Sequence, residues 1–114
     1  MDKVQALTAF SALSHPDRLD LIRLLVGQGP EGMAAGEIGK ALGGMAASRL
    51  SFHLSILETS GLIGARRSAR NVIYAARTQD LGALVRYLMR DCCASHPAIL
   101  ACCASQGEAG SDST

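Results

Sequence analysis

Between Glu37 and Gly61 the chain has room for two short helices and almost nothing between them. In the first, Glu37 to Leu42, the apolar residues Ile38, Ala41 and Leu42 face inward. Gly43-Gly44 then supplies a tight turn. A second helical run, from about Ala46 to Ser60, ends at Gly61, a residue suited to a left-handed C-terminal cap. Two short helices joined this closely are the pattern of a helix-turn-helix, and the remaining elements have to pack around it.

Upstream, Val4, Leu7, Phe10 and Leu13 recur at helical spacing and predict a first helix over residues 3–13 with that stripe as its apolar face. Ser14-His15-Pro16 breaks it, and Pro16 opens a second helix, where its missing N–H is not needed. His15 reads as a helix-start residue. Leu19, Leu21, Ile22, Leu24, Leu25 and Val26 cover more than one side of this helix, which makes it the central buried element. Gly27-Gln28-Gly29-Pro30 stops it, and residues 30–36 read as a loop.

Downstream of Gly61 the periodicity changes. Leu62 to Ala65 and Val72 to Ala75 are short apolar runs around the polar turn Ser68-Ala69-Arg70-Asn71, the pattern of a β-hairpin. Thr78 or Asp80 is placed to cap a last helix with Leu81, Leu84, Val85 and Leu88 in one stripe, ended near His96 by Pro97. The predicted fold is mainly α with a small β-hairpin, in the order α-α-α-α-β-β-α. With 114 residues there is one domain, over 1–104, and the small polar residues 105–114 predict a disordered tail. A chain this short buries limited surface alone, which favours a partner subunit. No apolar run reaches the roughly 20 residues of a membrane span, and the start Met1-Asp2-Lys3 lacks the layout of a signal peptide. A cytoplasmic protein with no membrane partner is expected.

The second helix of the pair carries a candidate reading surface. With Leu50 at the centre of its buried side, Leu54 and Leu57 fall beside it, while Ser48, Phe52, Ser55 and Thr59 point away. Arg49, Ser51 and His53 lie on the flanks. Small hydroxyl side chains allow close approach to a major groove, and hydroxyls and Arg bond base edges there; outward Phe52 suits thymine methyl groups. Serines on a helix also simply solvate it. The hairpin adds weight to the DNA reading: Arg66, Arg67, Arg70 and Arg77 lie between Gly61 and Thr78 with no Asp or Glu among them. A basic wing directly after a helix-turn-helix supplies the local positive field that phosphates need, although the net charge is only +1.

These same residues resemble the arsenic-responsive ArsR/SmtB family over roughly Val4 to Cys93. Ala12-Leu13-Ser14-His15-Pro16-Asp17-Arg18-Leu19 is similar to the family's second-helix opening, Ser48 through Glu58 to its recognition helix, and Gly61 through Tyr74 to its wing. The resemblance implies a winged helix-turn-helix homodimer whose first and last helices pack across a two-fold axis. It implies repression through double-stranded, inverted-repeat operator DNA, released on metal binding. By position, Ser48, Arg49, Ser51, Phe52, His53 and Ser55 fall in the DNA-reading segment and Arg66, Arg67 and Arg70 in the wing. His53 has an equal claim to be a hydrogen-bonded residue at a helix contact.

The four cysteines form two adjacent pairs, Cys92-Cys93 and Cys102-Cys103, with none in the first ninety residues. A disulfide scaffold would spread them, so they read as ligands or redox groups. Of the family's inducer positions, the region around the third helix holds no cysteine here, and Leu81 to Met89 holds no His or carboxylate. The C-terminal cluster is left. Cys92-Cys93-Ala94-Ser95-His96-Pro97 resembles arsenite-responsive members, though here the next cysteine is farther away and doubled. Soft thiolates select soft acceptors. Trivalent arsenic favours three thiolates, and Cys92, Cys93 and Cys102 offer them, with Cys103 as an alternative or fourth ligand. Four cysteines, or three with His96, also suit zinc or cadmium. Three rivals stand beside this reading: a repressor sensing thiol oxidation or persulfidation, a thiol enzyme or metal-binding protein without DNA affinity, and a winged helix used only for protein contacts. Cys92 also continues the apolar stripe from Leu88, as a small buried hydrophobe would.

Overall fold

The computed structural model describes residues 1–102, in which five α-helices surround a small three-stranded sheet. Helix α1 spans Lys3–Leu13 and begins in a capping box. The Asp2 carboxylate accepts the Gln5 N–H at 2.8 Å, and the Gln5 amide oxygen accepts the Asp2 N–H at 2.8 Å. Helix α2 spans Pro16–Gln28 with proline in its first turn, as the sequence predicts. Its N-cap is His15, whose Nδ1 accepts the Asp17 N–H at 3.1 Å. Helices α3 (Ala35–Ala41) and α4 (Ala47–Thr59) form the helix-turn-helix, and Gly61 takes φ +83° after α4, in the left-handed region that glycine enters without strain.

The hairpin of β2 (Ile63–Ser68) and β3 (Asn71–Ala76) follows, antiparallel, with Ile63 opposite Ala76 and Ser68 opposite Asn71. A third strand, β1 (Met33–Ala34), lies within the segment read from sequence as a loop and pairs antiparallel with β3. Two residues are too few to show a strand's alternation, which explains why the pattern misses it. Gly32, at φ +71°, makes the pairing sterically feasible: a Cβ there would collide with the Tyr74 carbonyl oxygen and come within 2.8 Å of Ile73 Cγ2. The strand also sets the start of α3 at Ala35, two residues before the sequence places it, with Glu37 accepting the Ala34 N–H at 3.1 Å.

The core is built from Leu21 and Leu25 of α2, Ile38 of α3, Leu50, Leu54 and Leu57 of α4, and Leu62 and Ile63 entering β2. Two expectations for the surrounding helices need correction. On α1 the face turned to this core is Ala6, Ala9 and Ala12, while Val4 and Leu7 of the predicted stripe are 72% and 58% exposed. Small side chains let α1 lie close against its neighbours, which leaves the larger ones outside. On α2, Leu19 and Val26 are exposed, so its burial is narrower than the apolar content suggests.

Helix α5 spans Thr78–Arg86, and neither Thr78 nor Asp80 caps it: Arg77 is the N-cap residue, and Asp80 instead accepts the Arg77 Nε–H at 2.9 Å. Leu84 is buried, but Val85 and Leu88 are exposed. The helix continues as a π-helical segment, Tyr87–Cys92. Ala94 and Ser95 then take left-handed φ of +53° and +54°, so the chain turns before Pro97 rather than at it. Residues 97–102 are helical again, and here too a His-Pro pair starts the turn: His96 Nδ1 accepts the Ala98 N–H at 3.1 Å, as His15 does for Asp17. Cys103 and the predicted tail over 105–114 lie outside the described residues. Among the described residues no helix is long and apolar enough to cross a membrane.

Candidate nucleic-acid interface and thiol pair

Helix α4 divides as its periodicity requires. Leu50, Leu54 and Leu57 are buried, and Ser48, Arg49, Ser51, Phe52 and Ser55 are exposed. His53 departs from the reading set. Its side chain is 6% exposed and turned into the α2–α4 contact, which favours its alternative role as a hydrogen-bonded residue at a helix contact. An Arg18 guanidinium nitrogen lies 3.1 Å from His53 Nδ1. Arginine can only donate, so Nδ1 accepts, and the ring proton sits on Nε2. Nε2 lies 3.2 Å from Asp17 Oδ2, a close electrostatic contact. Burial pushes the His53 pKa down, with His15, Arg18 and Arg49 adding to the fall and Asp17 opposing it.

Asp17 joins this network to the surface. Its carboxylate accepts two N–H groups of Arg49, Nε–H and one on the terminal nitrogen, both at 2.8 Å. Arg49 accordingly holds the Asp17 carboxyl below the ordinary carboxylate value. Arg49 therefore sits on α4 in a fixed orientation, tied to the first turn of α2, with its remaining N–H groups free to meet a phosphate. Asp17 and Arg18 were given no role by sequence. The signal was their place in the His15-Pro16-Asp17-Arg18 opening, but nothing local says that their partners lie more than 30 residues away on α4.

His15, Asp17 and His53 form the one group of three metal-ligating side chains, among the described residues, whose ligand atoms lie within 4.8 Å of one another. Two guanidinium groups already occupy it, Arg49 on the carboxylate and Arg18 on Nδ1 of His53. The arrangement is a closed polar contact between α2 and α4, satisfied by cations of its own.

The wing arginines also differ in their freedom. Arg66 donates to the Glu31 carbonyl oxygen at 2.9 Å, bracing the hairpin against the loop before β1. Arg67 and Arg70, at the hairpin end, are exposed and make no ion pair among the described residues. Ala69 supports the tight turn between them with φ +57°.

Cys92 and Cys102 are exposed, Cys93 is half-buried, and all three are free thiols. The hydrogen bond between the adjacent thiols is the main cause pushing the Cys93 pKa up, with burial and the Cys92 charge in the same direction. Cys102 does not join them to make a three-ligand group within one chain.

A helix-turn-helix domain model matches residues 13–63, from the end of α1 to the start of β2. The HTH-type transcriptional regulator YgaV of Escherichia coli K12 is 33% identical over 89 residues, covering 78% of this chain and 87% of that protein. Among solved structures, an ArsR-like transcriptional regulator from Rhodococcus sp. RHA1 shares the fold, with a TM-score of 0.71 at 22% identity over 86% of this chain and 89% of that one. The homodimeric winged helix-turn-helix DNA-binding domain of Mb0332 from Mycobacterium bovis, described as a possible ArsR-family regulator, has a TM-score of 0.61 at 30% identity, covering 81% and 84%. With α3 and α4 followed by a basic wing, and with relatives of this kind over most of its length, the chain belongs to the ArsR/SmtB family of winged helix-turn-helix transcriptional regulators.

Proposed function

We propose that the protein is a repressor that binds an inverted-repeat operator as a homodimer and releases it when trivalent arsenic is captured by Cys92, Cys93 and Cys102, with Cys103 as an alternative or fourth ligand. The observation that carries the inducer reading is the pair of adjacent free thiols closing the π-helical extension of α5, just beyond exposed Val85 and Leu88. Those residues, with Val4 and Leu7 of α1, are the apolar surface through which two copies would pair, an assembly the Mb0332 domain has. Ser48, Ser51, Phe52 and Ser55 then face the major groove, while Arg49, Arg67 and Arg70 meet phosphates. In a two-fold dimer the two α4 helices would engage successive major grooves about 34 Å apart.

The donor set fits the inducer. Free thiols are soft ligands, and three of them match the valence of trivalent arsenic. Because Cys102 stands apart from the pair within one chain, the third thiol comes from movement of the segment after Ser95 or from the second protomer.

The test is fluorescence anisotropy of the reduced protein on a selected operator, titrated with arsenite, zinc and cadmium in turn. Arsenite at near-stoichiometric amounts should release the DNA. Cys92→Ser/Cys93→Ser should bind as tightly and no longer respond. Release by arsenite from that double variant would refute the site. Release by zinc, cadmium or a thiol oxidant alone would keep the repressor and replace the signal.

A further inference from the structure

We propose that Phe52 reads the 5-methyl group of a thymine in each operator half-site. This rests on the DNA-binding reading above and adds what the recognition helix selects. Two of the polar candidates on α4 are not placed to read a base edge: Arg49 is turned to both oxygens of Asp17, with only its outer N–H groups left for a phosphate, and His53 is buried between Asp17 and Arg18. What remains outward is Ser48, Ser51 and Ser55 around a single large side chain, Phe52, which is 60% exposed.

That ring is not loose on the surface. It packs edge-on against His53, with ring centroids 5.3 Å apart and planes at 69°, the arrangement aromatic pairs prefer. His53 is itself held by a hydrogen bond from Arg18 at Nδ1 and by a 3.2 Å contact of Nε2 with Asp17, and its ring centroid lies 4.5 Å from that of His15. A braced apolar ring loses little freedom on docking. On the major-groove edges of the base pairs the thymine methyl is the one apolar group, and it distinguishes T·A from the other pairs. The flanking serines are short enough to let the ring reach it.

The experiment starts by selecting a duplex from a randomised pool with the full-length wild-type chain. Each thymine of the selected site is then replaced in turn by deoxyuridine, which removes only the methyl group. Replacement at one thymine in a single half-site should weaken wild-type binding about three- to fivefold, the value of one buried methyl, and about ten- to twenty-five-fold when both half-sites are replaced. Phe52→Ala, a substitution at an exposed position, should bind the thymine and deoxyuridine duplexes equally. Wild-type affinity unchanged by every replacement, or discrimination retained in Phe52→Ala, overturns the proposal while leaving DNA binding intact. A pool that yields no preferred sequence overturns the DNA-reading role itself, and this inference with it.

Discussion

Replacing His53 with alanine separates the two roles that its place on α4 leaves open. The structure gives the ring 6% exposure and a charged neighbour at each nitrogen, Arg18 hydrogen-bonded at 3.1 Å and Asp17 in contact at 3.2 Å. Truncation removes both contacts, leaves the Arg18 terminal nitrogen without its His53 acceptor while Arg18 Nε keeps the Ala12 carbonyl oxygen, and opens a void between α2 and α4. The lost Arg18 hydrogen bond is worth about 1 kcal/mol near a surface, and the void, the unmet N–H and the lost Asp17 contact together add about 1–3 more. The expected loss is about 2–4 kcal/mol, which lowers a urea midpoint by about 1–2 M at the slopes usual for small proteins. Unfolding should be followed by far-ultraviolet circular dichroism at one fixed protein concentration, since any dimerisation makes the midpoint concentration-dependent. A midpoint within error of wild type, together with relaxed preference at one base pair, would refute the structural role and return His53 to the reading surface.

Two further outcomes follow from the same contacts. Arg67→Ala and Arg70→Ala should each weaken binding to all duplexes alike and reduce the slope of log affinity against log salt by about 1.8 for the dimer, about 0.9 per protomer, whereas Arg66→Ala should change the slope less because its guanidinium serves the Glu31 carbonyl; equal slopes for all three variants would contradict the division. Stability should also fall on acidification. Burial keeps His53 neutral, so below the ordinary histidine value of 6.5 the unfolded chain binds a proton that the folded one resists, and stability declines until the lowered folded pKa is passed. Asp17 contributes a second loss as pH falls from its ordinary value of 3.8 through its lower folded pKa. Urea midpoints at about pH 7.5 and about pH 5.5 should differ in the wild type and converge in His53→Gln; a wild-type midpoint flat across that range would contradict the assignment.

The elements with strong local signals stood in the sequence: Pro16 opening α2, Gly43-Gly44 between α3 and α4, Gly61 closing α4, and the alternating runs of the hairpin. The failures have a common physical cause, which is that the deciding partner is distant. His53 lies on the flank of α4, where helical periodicity assigns neither burial nor exposure, and its burial is decided by Asp17 and Arg18 on α2. Strand β1 exists because β3 offers it an edge more than 35 residues later. Arg66 looked equivalent to Arg67 and Arg70 in a basic turn, yet only a folded loop could bring the Glu31 carbonyl to it. The thiols stand as a cluster in the sequence, but only the fold shows that Cys102 does not share one ligand group with the Cys92–Cys93 pair.

Helix α1 shows the same limit in a form that bears on regulation. Periodicity finds Val4, Leu7 and Phe10 and assigns them to the core, but the core is filled by Ala6, Ala9 and Ala12 on another face. A helix apolar on two faces has two interiors to serve, and periodicity cannot tell a chain's own interior from one it shares. Under the dimeric reading, Val4 and Leu7 of α1 and Val85 and Leu88 of α5 belong to that shared interior, where burial is worth about 25 cal/mol per Å². Cys92 follows Leu88 by four residues along the extension of α5, so the thiols lie at the margin of this surface and not against α4. Under the proposed function, an inducer bound there would act by changing how two protomers meet, and the recognition helices would respond because each is tied to its own α2 through Asp17, Arg49 and His53. The rigidity of that tie would let a coupling of the usual size, about 1–3 kcal/mol, reach the DNA as a misfit of two heads instead of being absorbed within either one.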